Sequence, residues 1–236
     1  MAHPSSIIAS SVGIYRPATA TFWLLPSLSG DVAPVSIAYG ISTDLPFLGD
    51  WTGSGFSTPG IFRDGIFYLR YSLTEGPADI EFALGAPGDI PLAGDWTGGG
   101  RQSVAVFRDG LFVFQSRQIE GSPDGEFPFG ISGDLPVVGD WDGDGIETIG
   151  IYRDGVFYLH NTHQPGDADI AFAYGAPGDI PLAGDWDGDG KTTVGIYRDG
   201  VFHLRNELSE GEADIKVTFG EPGDIPVTGR WVGRLG

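Results

Sequence analysis

Two stretches of the chain, GDWDGDGIET (139 to 148) and GDWDGDGKTT (184 to 193), place carboxylates on alternate positions. In the first, Asp140, Asp142 and Asp144 stand at loop positions 1, 3 and 5, Gly145 at 6, Ile146 at 7 and Thr148 at 9. The second repeats this with Asp185, Asp187, Asp189, Gly190, Lys191 and Thr193. The order matches the front half of a calcium loop, where side chains at 1, 3 and 5, a main-chain carbonyl at 7 and a group at 9 surround the ion. Three carboxylates crowded within one turn repel one another unless a cation sits among them. An all-oxygen set without His or Cys suits Ca²⁺ over Zn²⁺. The spacing therefore predicts Ca²⁺ as cofactor, with about two ions per chain, bound at 140 to 148 and 185 to 193.

Three further copies of the loop are degraded. Asp50, Thr52, Ser54 and Thr58 keep the oxygens but lose two charges, which predicts a weaker third metal site; Asp95, Thr97, Gly99 and Ser103 lose a donor outright. The last copy has Arg230, Val232 and Arg234 and excludes a cation.

The loops belong to a repeat. Trp51, Trp96, Trp141, Trp186 and Trp231 fall 45 residues apart, and a period of that size with several strand-like runs marks a propeller or similar array. Within one period TIGIYRDGVFYLHN, ADIAFAYG and DIPLAGDW supply four strand candidates. Asp64-Gly65, Asp109-Gly110, Asp154-Gly155 and Asp199-Gly200 lie between apolar runs, the signature of a type I′ hairpin. The first repeat has Tyr15 to Thr21 there, two residues longer and without the pair, which predicts a looser hairpin. Pro46, Pro91, Pro136, Pro181 and Pro226 are placed just ahead of an apolar strand, on the crossover between sheets, because proline cannot donate to a ladder.

These elements predict an all-β fold: a five-bladed β-propeller of four-stranded antiparallel blades. The chain opens on SVGIYR, the strand after an Asp loop, and closes on DIPVTGRW, the strand before one. Pairing the C-terminal strand into the first blade closes the ring and removes two sheet edges. The domain reading is an N-terminal arm over 1–11 and a single propeller of five repeats of about 45 residues over 12–236. The tryptophans are read as packing between blades. Arg63, Arg108, Arg153 and Arg198 are read as a repeated ion pair, worth only ~0.2 to 1 kcal/mol each if exposed.

A net charge of −19 and a pI near 4.2 oppose a phosphate-binding surface, so no nucleic-acid partner is expected. The chain has no cysteine, hence no disulfide and no thiolate nucleophile. Its apolar runs are of strand length, and no membrane span is expected. The opening MAHPSSIIASS has no basic n-region and reads as no signal peptide.

The chain resembles the FG-GAP repeats of integrin α-subunit propellers and the related bacterial VCBS-type repeats. The resemblance rests on the Asp loops leading into a strand, on Phe129-Gly130 and Phe219-Gly220 with the variants Tyr39-Gly40 and Tyr174-Gly175, and on Gly85-Ala86-Pro87 and Gly175-Ala176-Pro177. It runs from about Val12 onward. It implies calcium between the first two strands of a blade and a role in adhesion, in protein interaction or in lectin-like carbohydrate binding. Thr148 and Thr193 stand where those repeats carry a final Asp, which implies reduced affinity. Exposed loops of this kind fall in the extracellular range of roughly 10⁻⁴ to 10⁻³ M, so an extracellular or cell-surface location is expected.

No constellation of nucleophile, base and oxyanion donors stands out among His3, His160, His163, His203 and the acidic residues, and no catalytic residue is assigned. Variation concentrates in loops 26–35, 71–78, 116–126, 160–168 and 205–212, where a rigid scaffold carries recognition. The reading is a non-enzymatic, secreted binding or cell-adhesion module with a protein or carbohydrate ligand. A self-assembling surface or filament subunit, and so a homo-oligomer, is the alternative. A glycoside-processing enzyme ranks third.

Overall fold

The computed structural model describes residues 9–29 and 31–231. Residues 1–8 of the N-terminal arm, Gly30 of the first variable loop, and Val232 and Arg234 lie outside the described residues.

Twenty strands form five four-stranded antiparallel sheets. The first blade takes β1 (Ser11–Arg16), β2 (Thr21–Leu24) and β3 (Val35–Ala38). The second is β4 (Leu45–Gly49), β5 (Thr58–Arg63), β6 (Ile66–Leu69) and β7 (Ile80–Ala83). The third is β8 (Ile90–Gly94), β9 (Ser103–Arg108), β10 (Leu111–Gln115) and β11 (Gly125–Pro128). The fourth is β12 (Leu135–Gly139), β13 (Thr148–Arg153), β14 (Val156–Leu159) and β15 (Ile170–Ala173). The fifth is β16 (Ile180–Gly184), β17 (Thr193–Arg198), β18 (Val201–Leu204) and β19 (Ile215–Thr218). The last strand, β20 (Ile225–Gly229), returns to the first blade and pairs antiparallel with β1, Ser11 opposite Gly229 and Tyr15 opposite Ile225. The five-bladed propeller is closed as the chain's two ends require.

Each blade begins at the axis. The innermost strands β4, β8, β12, β16 and β20 touch in succession and complete a circle. The second strands, such as TIGIYR of β13, are buried on both faces, which is why they read as unbroken apolar runs. The third strands alternate, with Phe157 and Leu159 inward. Between them Asp64, Asp109, Asp154 and Asp199 take φ near +50° and the following glycines are also at positive φ, as a type I′ turn demands. The first hairpin instead makes a 3₁₀ turn over Pro17–Thr19 and brings Ala20 to φ 50°.

The prolines sit one residue inside the innermost strands rather than ahead of them; Pro136, for example, lies opposite Ile151. An innermost strand has a sheet partner on one side only, so the missing N–H faces the axis and costs no ladder bond. The blade also starts earlier than Val12. Ser11 opens β1, and Ser10 is bonded across the closing seam to Asp185 of the adjacent fifth blade.

The core lies between blades. One cluster packs Val12 and Ile14 of the first blade on Trp186, Tyr197 and Phe202 of the fifth, so the closing seam is as apolar as any other. All five repeat tryptophans are buried, Trp51 and Trp231 fully. Each indole folds back over the residue two before it: a Cβ built on Gly49 would lie 2.3 Å from Trp51. The Gly of Gly-Asp-Trp is thus required by packing. Indole N–H groups reach carbonyls from Trp51 to Thr58, Trp186 to Val194 and Trp231 to Leu25, while those of Trp96 and Trp141 are buried without a partner among the described residues.

The repeated arginines pair with aspartates of the block ahead of each innermost strand. Arg63 grips Asp44, Arg108 Asp89, Arg153 Asp134, Arg198 Asp179 and Arg16 Asp224, each through Nε and Nη2. These pairs are half-exposed, open on the guanidinium side and closed on the carboxylate side. The carboxylates are buried and each also accepts a main-chain N–H three residues back, as Asp134 does from Ile131 at 2.7 Å. Burial pushes the Asp224 carboxyl up, but the Arg16 fork and the Glu221 N–H outweigh it and hold it below the usual range.

Candidate metal centre

The Asp loops connect the innermost strand of a blade to the second, all at one end of the axis. In the loop between β12 and β13, Asp140 acts as the organiser. Its Oδ1 accepts N–H groups from Gly143 (2.7 Å) and Asp144 (3.0 Å), and its Oδ2 accepts that of Gly145 (2.9 Å). Gly143 and Gly145 hold φ of 81° and 91°, the left-handed turns that let a six-residue loop wrap around one carboxylate. Asp142 accepts from Asp144 N–H, and Asp144 from Ile146 N–H. The loop between β16 and β17 repeats the geometry: Asp185 gathers Gly188, Asp189 and Gly190, Asp187 accepts from Asp189, and Asp189 from Lys191.

The result is that Asp140, Asp142 and Asp144 each bring an oxygen within 4.8 Å of the others, and Asp185, Asp187 and Asp189 do the same. Oxygens bound to one calcium ion lie at most about 5 Å apart, twice a Ca–O distance of 2.3 to 2.6 Å, so the donor set fits that ion. Asp142, Asp144, Asp187 and Asp189 are exposed, while Asp185 is buried and Asp140 half-buried. Thr148 and Thr193 begin β13 and β17, and their hydroxyls donate to Gly139 and Gly184 carbonyls.

The degraded loops keep the fold and change the chemistry. Asp50 still accepts from Ser54 and Gly55 N–H, and Asp95 from Gly99 and Gly100 N–H. At position 3, however, Thr52 and Thr97 donate hydroxyl protons to the same Asp oxygen at 3.4 and 3.3 Å. Ser54 Oγ adds another, at 3.3 Å. A hydroxyl can donate where a carboxylate can only accept. These two loops therefore satisfy themselves internally, and the two Asp-rich loops do not. Thr58 of the first loop is buried in β5, and its hydroxyl has no partner among the described residues. Arg230, in the fifth copy, donates from Nη2 to Asp185 Oδ2 at 3.1 Å.

One feature of the site escaped the sequence reading. The residue just before each second strand, Ser10, Ser57, Gln102, Glu147 or Thr192, clasps the first residue of a neighbouring Asp loop in both directions. Thr192 N–H donates to the Asp140 carbonyl and the Asp140 N–H to Thr192 Oγ1; Glu147 and Gln102 do the same with Asp95 and Asp50. Ser10 with Asp185 and Ser57 with Arg230 complete the circle. An oxygen-bearing side chain at every copy of that position was the available signal. The Asp loops are thus tied into one ring about the axis.

Of the histidines, His160 lies buried with Nδ1 2.9 Å from Asp169, and His163 packs against Trp96, Phe114 and Phe127, where burial lowers its pKa. Both belong to the variable loop 160–168. No helix among the described residues is long and apolar enough to cross a membrane. No protein-family model matches the chain, and a search of curated proteins returns no match.

Proposed function

We propose that the chain is a calcium-stabilised, extracellular, non-enzymatic binding module, akin in its repeats to the FG-GAP and VCBS-type propellers. The observation that carries this is the contrast between loops. Asp142 and Asp187 place a second carboxylate where Thr52 and Thr97 place a hydroxyl donor, and the donated bond that closes the degraded loops has no counterpart. A divalent cation supplies the positive charge that the Asp-rich loops lack. Because the folded loop gathers the oxygens and the unfolded chain does not, binding stabilises the fold by mass action. The ring of clasps then passes loop order to all five blades. Main-chain carbonyls of Ile146 and Lys191 and water at the Thr148 and Thr193 positions fill the remaining coordination.

Recognition is assigned to the variable loops on the outer blade edges, where Arg70 and Arg205 each fix a loop by donating to its own carbonyls at Thr74, Glu75 and Pro77, or Ser209, Glu210 and Glu212. Rigid loops on a rigid ring suit a protein or glycan ligand. The test is thermal unfolding in millimolar calcium and in chelator, for the wild type and for Asp142→Ala with Asp187→Ala. Calcium raises the wild-type melting temperature, and the double variant loses most of that rise. An equal rise in both proteins defeats the proposal.

A further inference from the structure

On the axis, at the end that carries the Asp loops, the five blades line a half-open cavity of about 480 Å³. Its lining carries five carboxylates, the first aspartates of four loops together with Glu147, against the single guanidinium of Arg230. The four aspartates are turned into their own loops and spend their oxygens on loop amides. Glu147 differs. Its Oε2 accepts both the Asp95 N–H (2.6 Å) and Gln102 Nε2 (2.7 Å), and among the described residues nothing donates to Oε1.

Ser10, Ser57 and Thr192 also line the cavity, and each hydroxyl oxygen accepts a main-chain N–H at 3.0 Å. None of these hydroxyls donates to a protein acceptor among the described residues, so each retains a proton for a ligand oxygen. Arg230 uses Nη2 on Asp185, and among the described residues its Nε and Nη1 have no partner. The cavity therefore offers one anionic acceptor and several neutral or cationic donors, in a surrounding of net negative charge.

We infer that the axial cavity binds a small hydroxylated primary ammonium compound of amino-sugar size, its ammonium on Glu147 and its hydroxyls on the seryl, threonyl and arginyl donors. A bare divalent ion is the poorer match, since it needs six or more oxygens and this cavity has one uncommitted carboxylate oxygen. A carboxylate ligand meets five like charges. A neutral sugar brings no positive charge to the unpaired Glu147 oxygen and so lacks the charge-assisted bond that an ammonium makes there. The site deepens the binding-module reading and does not depend on calcium in the rim loops.

The experiment is a titration of the full chain in chelator with D-glucosamine and, in parallel, D-glucose, followed by calorimetry and by the NMR shifts of the Gln102 side-chain amide. Glu147→Gln is the variant, and Gln102 already fills the equivalent position in the next blade with the same main-chain acceptance. Glucosamine binds in the millimolar range and moves the Gln102 signals, glucose does not, and Glu147→Gln weakens binding at least ~10-fold, the scale of a lost charge-assisted hydrogen bond. Equal binding of glucose, unmoved Gln102 signals in the wild type, or an unchanged affinity in the variant overturns the inference. So does calcium that competes with glucosamine while its stoichiometry falls in the variant, since the cavity is then a metal site. Failure of the rim-loop melting test leaves these readouts unaffected.

Discussion

The guanidinium of Arg230 lies 3.1 Å from Oδ2 of Asp185, joining the last repeat to the Asp loop of the fifth blade. Arg230 stands where the other four repeats carry the loop's first aspartate, so the one copy with a basic residue there neutralises part of the charge of the neighbouring Asp-rich copy. Among the described residues no basic side chain pairs with Asp140. If both loops hold calcium as proposed, the loop at 140 to 148, which has no such ion pair, binds it more tightly. Arg230→Ala lowers stability in chelator by about 1 kcal/mol, the loss of a partly exposed charged hydrogen bond. It also enlarges the melting-temperature rise on adding calcium. Paired melts with and without calcium check both signs.

Asp134 shows the weight of the repeated forks. Replacing it with Ala removes two bonds from Arg153 and the one from Ile131 N–H, at the crossover that positions β12. About 2 kcal/mol of unfolding free energy is lost, whereas an Arg153→Lys change, which forfeits the planar fork but retains charge, costs less. Denaturant unfolding of the two variants gives the order.

Gly49→Ala tests the packing account of the Gly-Asp-Trp signature. Its new methyl meets the Trp51 ring, and Trp51 has no exposed side to retreat to. Overpacking of this kind costs about 1 to 3 kcal/mol. Gly55→Ala, where a Cβ meets nothing, suffers only from its φ of 81° and so loses less. Chemical denaturation of both, compared with wild type, separates sterics from conformation.

Glu147 yields a pH signature. Its carboxyl is raised from the ordinary 4.5 by burial, against the Gln102 and Asp95 N–H bonds that lower it. Below the ordinary value both folded and unfolded forms are protonated and there is no cost. As pH rises from there toward the elevated folded value, the unfolded form ionises first, and stability falls. Glu147→Gln removes this dependence, so its melting temperature relative to wild type increases as the pH rises above the ordinary carboxyl value of 4.5. A difference independent of pH contradicts the assignment.

Much of the architecture was legible because it repeats locally. The Trp spacing, the Asp-Gly turns and the mismatched chain ends are short-range patterns, and the structure places each as its physics requires. The Asp loops were legible for the same reason. The Asp134 and Asp179 partners of the repeated arginines were not, since those carboxylates lie 19 residues back in a segment otherwise read as a crossover. The clasp between Gln102 and Asp50 spans 52 residues and joins different blades, and nothing local to either residue reports it. The same clasp draws Ser10 into the ring, ahead of the boundary at Val12. Proline inside rather than before β12 follows from the one-sided pairing of an innermost strand, which only the closed ring creates.

The central claim, that two rim loops each hold one calcium ion, is tested most directly by isothermal titration of the chelator-treated protein with calcium. The account predicts two ions per chain in the range of roughly 10⁻⁴ to 10⁻³ M, one ion when Asp142→Ala or Asp187→Ala is made singly, and none when they are combined. Heat of binding absent from the wild type, or unchanged in the double variant, contradicts it.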